Sequence, residues 1–144
     1  MGKYNDFAND HGVVAVSGAS AATKTSAALD TKGMEQAVCI LHTGTIEATG
    51  TLDVKIEHSP DNSAWADLTG AAFSQKLAAD DDLTFYGIIK CNQVGVDRYL
   101  RISATAAVAD ADYGAVLISK NLSGHLPLTV NALPAPAFDI LPPT

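Results

Sequence analysis

An all-β fold, specifically a single-domain β-sandwich or jelly-roll-like body with extended N- and C-terminal arms, is what the sequence predicts, and three observations lead there. Hydrophobic residues make up 47% of the chain but aromatic residues only 6%, a balance that suits short strands and tight turns better than long helices. From Thr51 the residues alternate, with Leu52, Val54, Ile56 and His58 on one face and Thr51, Asp53, Lys55 and Glu57 on the other, the period of a half-buried strand. Roughly eight strand-like segments recur at fairly even spacing between turn residues. At 144 residues and 14.9 kDa the chain is long enough to bury a core without disulfide or metal staples, and it reads as one domain.

Residues 1–12 are polar and unpatterned and read as an N-terminal arm, with the sandwich over 13–125 and a Pro-rich C-terminal arm over 126–144. A first strand is expected at 13–16 and a second at 25–29, separated by a run of small residues. Asp30, Thr31, Lys32 and Gly33 form a turn in which Gly33 can take a positive φ. Residues 36–42 are continuously apolar and predict a central strand covered on both faces, followed by a loop over 43–50. The strand from Thr51 leads into a hairpin. Pro60 presets its own backbone angle there, and Asp61 or Asn62 bonds locally or accepts a left-handed conformation. Trp65 stands where the return strand begins and is expected to anchor the hairpin in a core formed with Leu52, Val54, Ile56, Leu100 and Ile102. An exposed Trp65 would instead offer a platform for a sugar ring. Further strands are expected at 73–77, 84–91, 98–105 and 115–120, with 92–97 joining 84–91 to 98–105 as a hairpin loop. In the 98–105 strand Tyr99 and Arg101 oppose Leu100 and Ile102, so the arginines can cover apolar surface or pair with carboxylates across the sheet.

Composition narrows the function. A net charge of −7 with nine scattered Lys and Arg argues against nucleic acid as a partner, since phosphate binding needs clustered cations. No apolar run approaches the roughly 18 residues of a membrane span, and the first dozen residues lack the apolar centre of a signal peptide, so no membrane partner is expected and synthesis in a cytoplasm is. Met1 to Asp6 lack the Ser or Thr of a myristoylation signal. Cys39 and Cys91 lie in apolar runs, where a thiol packs as a small hydrophobe rather than in a bridge. His11, His42, His58 and His125 share no metal-ligand spacing, and the Asp80–Asp82 and Asp110–Asp112 clusters lack the rest of a calcium loop. There is no Gly-rich phosphate loop and no nucleophile elbow. No catalytic, metal or cofactor-binding residue is therefore assigned, and the chain is expected not to be an enzyme.

The tail, PLTVNALPAPAFDILPPT, holds every proline except Pro60. Proline keeps it extended, while its large apolar side chains are costly to leave in water. It either packs on its own domain or docks on a neighbour. On the second reading Leu128, Val130, Leu133, Phe138, Ile140 and Leu141, with Tyr4 and Phe7 of the N-terminal arm, sit at capsid or subunit interfaces.

The order of TSAALDTKGMEQAVCILHTGTI, DVKIEHSPDNSAWADL, DRYLRISATA and GAVLISKNLSGHLPL resembles small structural proteins from the head genes of tailed bacteriophages and prophages. The match rests on an LDTKG turn over Leu29 to Gly33, a hairpin over His58 to Asp67 and an RYLR strand over Arg98 to Ile102, and spans roughly 25–128. Pro60-Asp61-Asn62 stands where such proteins more often carry a glycine turn. The resemblance implies a virion structural protein that decorates and stabilises the capsid exterior by binding across capsomers, assembled in the host bacterial cytoplasm. It implies the major capsid protein and copies of itself, as a trimer or dimer, as partners. A head-tail connector or tail component, or a carbohydrate- or host-binding adhesion module of the particle, is the alternative. If the tail grips the shell, cutting after Gly124 leaves a folded domain that no longer binds capsids.

Overall fold

The computed structural model describes residues 11–120 and 137–140. In chain order the strands are β1 (His11–Gly18), β2 (Thr23–Thr25), β3 (Leu29–Asp30), β4 (Gln36–Ile46), β5 (Thr51–Ser59), β6 (Ala66–Ala72), β7 (Thr84–Lys90), β8 (Tyr99–Ala107), β9 (Ala111–Lys120) and β10 (Phe138–Ile140). One 3₁₀ turn covers Ala78–Asp80, and the described residues contain no α-helix. The strands form two sheets packed face to face, one ordered β1-β9-β4-β7-β10 and the other β2-β8-β5-β6 with β3 also paired to β8. Every pairing is antiparallel except β10 with β7. The molecule is an all-β sandwich.

Alternation builds the core. Ala37, Cys39 and Leu41 of β4, Ile89 of β7 and Leu117 of β9 point inward from the first sheet and meet Leu52, Val54, Ile56, Leu100 and Ile102 from β5 and β8. All five of those second-sheet side chains are at most 1% exposed. Burial on this scale is the main favourable term in folding, of order 1.5–3 kcal/mol for each fully covered aliphatic side chain.

The β5–β6 hairpin turns as its residues dictate. The Asp61 carboxylate accepts bonds from the Ser63 and Ala64 amides, each at 2.9 Å, and Asn62 takes the left-handed conformation at φ 60°. These bonds hold the Asp61 carboxyl below its usual range. Thr31 and Gly33 close the earlier turn, Gly33 at φ 78°.

Several expectations are corrected. Trp65 is not in the core: it precedes β6 on the outer side and is half-buried, while Leu68 and Ala71 of the return strand and Phe73 just beyond its end make the inward contacts. The 36–42 strand is central, and among the described residues only one of its faces is packed under a sheet: Val38, Ile40 and His42 point away from the second sheet, and Ile40 and His42 are exposed. Residues 92–97 are not a hairpin loop, since β7 and β8 belong to different sheets. In place of one strand over 25–29, residues 26–28 are irregular between two short strands, β2 and β3, that both pair with β8, and β4 continues through a bulge to Ile46 where a loop is expected.

Phe138, expected at a capsid or subunit interface, is instead part of this chain's own core at 7% exposure. Gly87 lies opposite it in the parallel β10–β7 pair, and a Cβ there would collide with the Phe138 ring. The ring also meets Phe73 edge to face, centroids 4.9 Å apart. Tyr4, Phe7, Leu128, Val130, Leu133 and Leu141 lie outside the described residues. Ile140 is placed by its backbone alone, opposite Ile89.

Candidate interaction surfaces

Two outward faces carry chemistry that the core does not use. On the β2-β8-β5-β6 sheet, register puts Glu57 of β5 opposite Arg101 of β8 and Asp30 of β3 opposite Tyr99. Arg101 Nε donates to Glu57 Oε2 at 2.5 Å, and its guanidinium lies 4.3 Å from the Trp65 ring centroid. Arg98 donates through Nε and Nη2 to both Asp30 oxygens, at 2.8 and 2.7 Å, and sits 5.0 Å from the Tyr99 ring. The bonds from Arg98 draw the Asp30 carboxyl down to about 2 and push the Arg98 guanidinium up. Lys55 pairs with Asp67 at 2.6 Å, which raises the Lys55 ammonium. The result is a patch of one indole, one phenol and two arginines whose charges already have partners on the same face. His58, by contrast, lies on the core-facing side of β5 opposite Leu100, its Nδ1 3.1 Å from the Asp97 carboxylate and 3.2 Å from the Asp97 amide nitrogen, and takes no part in the outer face.

The other face is the outside of the β1-β9-β4-β7-β10 sheet. Two rows cross it in register, Val13–Ile118–Val38–Ile88 and Ala15–Val116–Ile40–Tyr86. Val13 is 61% and Ile40 37% exposed. Lys120, Gln36 and Lys90 bound the rows at one end, and Gly114, His42 and Thr84 at the other. His42 Nδ1 is 2.9 Å from Thr84 Oγ1.

Reactive geometry is sparse elsewhere. Among the described residues no three or more His, Cys, Asp or Glu gather where they could hold a metal ion, and no helix is long and apolar enough to cross a membrane. A depression of about 470 Å³ is lined by Thr31, Met34, Cys91, Asn92 and Arg98 among others. Burial pushes its thiol, Cys91, up to about 11, and Cys39 to about 12, so both stay protonated at neutral pH and are poor nucleophiles. Both are free. Lys76 is 4% exposed, with Nζ 3.0 Å from Ser74 Oγ and 3.6 Å from the Phe85 ring centroid. Nothing in its local sequence announces that burial.

Alternation alone revealed the outward position of Tyr99 and Arg101, whereas their partners Glu57, Asp30 and Trp65 are brought together only by register. No protein-family model matches the chain, and no curated protein matches it either.

Proposed function

We propose that the chain is a non-catalytic structural protein that decorates and stabilises the exterior of a phage capsid, and that it attaches through the outer face of the β2-β8-β5-β6 sheet. The observation that carries this reading is the Trp65–Arg101–Glu57 cluster with Tyr99, Arg98 and Asp30 beside it. Trp, Tyr and Arg are the residues most enriched where protein contacts concentrate their energy. Here they are already ordered by ion pairs and stacking, so less rotamer freedom is lost on docking. Many copies at symmetric positions on a lattice then add modest contacts into a strong total. The resemblance to phage head proteins supplies the partner, the major capsid protein, with neighbouring copies of the chain meeting around a local symmetry axis.

The test is light scattering and co-sedimentation with expanded, undecorated capsids of the parent phage. The expected result is binding at a stoichiometry fixed by the lattice, with Trp65→Ala and Arg101→Ala each weakening it at least tenfold, as contacts at such hot spots do. Undiminished binding by both variants removes the patch from the interface. A wild-type chain that stays free of capsids overturns the decoration reading in favour of the adhesion or connector role.

A further inference from the structure

The two sheets end in edges of very different make-up. Unpaired backbone at a sheet edge is a template for another strand, and most edges blunt it with shortness, charge or a bulge. Here β2 and β3 have three and two residues and carry Lys24 and Asp30, and β10 has three with Asp139. β6 carries Asp67, shifts register against β5 and turns through Gly70 at φ 82°. β1 has none of these devices: its eight residues, HGVVAVSG, contain no Asp, Glu, Lys, Arg or Pro and pair with β9 without a bulge. Among the described residues its other edge meets no strand.

The strand also matches itself. Antiparallel pairing of two β1 strands about a two-fold axis keeps like faces together, so outward residues meet outward residues. Val13, Ala15 and Ser17 point outward, Val13 at 61% exposure, and Val14 and Val16 point inward. Two registers pair all but one of the strand's residues. With Ala15 on the axis, Val13 falls opposite Ser17, and the apolar row that starts at Val13 runs into the polar row Ser17–Gly114–His42–Thr84. With Val14 on the axis, Val13 falls opposite Ala15 and Ser17 opposite His11. The rows Val13–Ile118–Val38–Ile88 and Ala15–Val116–Ile40–Tyr86 then continue into each other across the junction, and the polar row meets the row of Lys120, Gln36 and Lys90. Apolar meets apolar, polar meets polar, and no like charges are set opposite each other. Val14, half-buried against the core, lies beside its own copy in this register.

We propose that the chain forms a two-fold dimer through β1, with Val14 on the axis, so that the β1-β9-β4-β7-β10 sheet runs on through both copies. The pairing uses the same edge of each copy and closes on itself, which removes the open edge without starting a fibre. The axis stands perpendicular to the sheets, so the Trp65–Arg101 patches of both copies look the same way and can meet one surface together. The dimer itself does not rest on the capsid reading and holds whatever the chain attaches to.

Sedimentation equilibrium and light scattering on the full chain test this. The mass is expected to rise with concentration from 14.9 kDa to a limit of twice that value. A chain that stays at 14.9 kDa, or whose limit passes the dimer, overturns the proposal. Val13→Lys with Ala15→Lys sets like charges opposite each other across the axis and is expected to raise the dissociation constant at least about tenfold, with circular dichroism reporting an intact sandwich. Val13→Lys with Ala15→Glu sets opposite charges there and is expected to recover the natural value to within about threefold. A dimer that ignores the first variant, or that the second fails to restore, forms elsewhere or in another register and overturns the proposal. In the natural chain, the β1 amides turned away from β9 are expected to exchange hydrogen more slowly as protein concentration rises. Exchange that does not change with concentration counts against the pairing even if a variant misfolds. No capsid enters any of these measurements, so failure here leaves the decoration reading standing, and failure of that reading leaves the dimer.

Discussion

A methyl group on Gly87 would occupy the space that the Phe138 ring fills, so the two residues cannot both keep their places if a side chain is added there. Gly87→Ala is expected to expel β10 and lower stability by about 3 kcal/mol, close to the ~3–5 of an aromatic removed from a core. Because Phe138→Ala empties the same slot, the two changes together should cost little more than either alone, and urea denaturation of the double-mutant cycle measures that coupling. Glycine inside a strand pattern does signal close approach of other atoms, yet nothing near Gly87 says that the approaching group lies some fifty residues on. Val108, in the β8–β9 turn, holds φ at 70° with its side chain 78% exposed. A β-branched residue is strained there by about 1–2 kcal/mol, so Val108→Asn is expected to raise stability by about 1 kcal/mol, read as a higher thermal midpoint. Asp30 supplies a pH signature. Its folded pKa, about 2, lies below its unfolded one, so its contribution is complete above about pH 4 and is lost as pH falls toward 2. With the carboxylate side chain 47% exposed, solvent screening holds that contribution below about 1 kcal/mol. Arg98→Gln should return the Asp30 carboxyl to the ordinary range in an NMR titration and flatten the acid limb of the stability curve between those pH values.

At the scale of elements, strands with a clean alternation were legible and their neighbours were not. The 51–58 pattern gives β5 directly, and the Pro60-Asp61-Asn62 turn gives the hairpin, because both are set by residues close in sequence. Trp65 was misplaced because a large aromatic favours burial on average, while its actual position follows from where the ladder to β6 starts, at Ala66. The apolar run in β4 suggested two covered faces, and run length alone cannot tell a strand between two layers from a central strand with one sheet packed on it. The tail carries the largest consequence. Since β10 brings Phe138 into the core, truncation after Gly124 is expected to destabilise the sandwich by about 3–5 kcal/mol and to leave the β7 edge unpaired and prone to association. Denaturant midpoints and light scattering of the truncated chain against Phe138→Ala separate the lost ring from the lost strand: both lower the midpoint, and only truncation should promote association. A truncated chain as stable as the full one would contradict the placement of β10.

For the whole molecule, the decisive pairings are the ones no local pattern reveals. β1 meets β9 across nearly the full length of the domain, and β2 and β3 add to β8, so sheet membership depends on contacts between segments far apart in sequence. Such topologies fold slowly, because loop closure precedes any reward from the contact. They also bind the two sheets into one core: Leu41, Ile89 and Leu117 from one layer belong to the same buried cluster as Leu52, Ile56, Leu100 and Ile102 from the other. Neither sheet can keep its inner face dry alone, so they are expected to unfold together. The chain carries reporters for both halves, since Trp65, the single tryptophan, is held by Arg101 on the outside of one sheet and Cys39 is fully buried inside the other. In a Cys91→Ser variant, the denaturant midpoint for the red shift and quenching of Trp65 and the midpoint for labelling of Cys39 by a brief thiol pulse are expected to coincide. If Cys39 became reactive at a clearly lower denaturant concentration than Trp65 responded, the β1-β9-β4-β7-β10 sheet would be opening on its own, and the single cooperative core argued from the shared cluster would have to be divided into two.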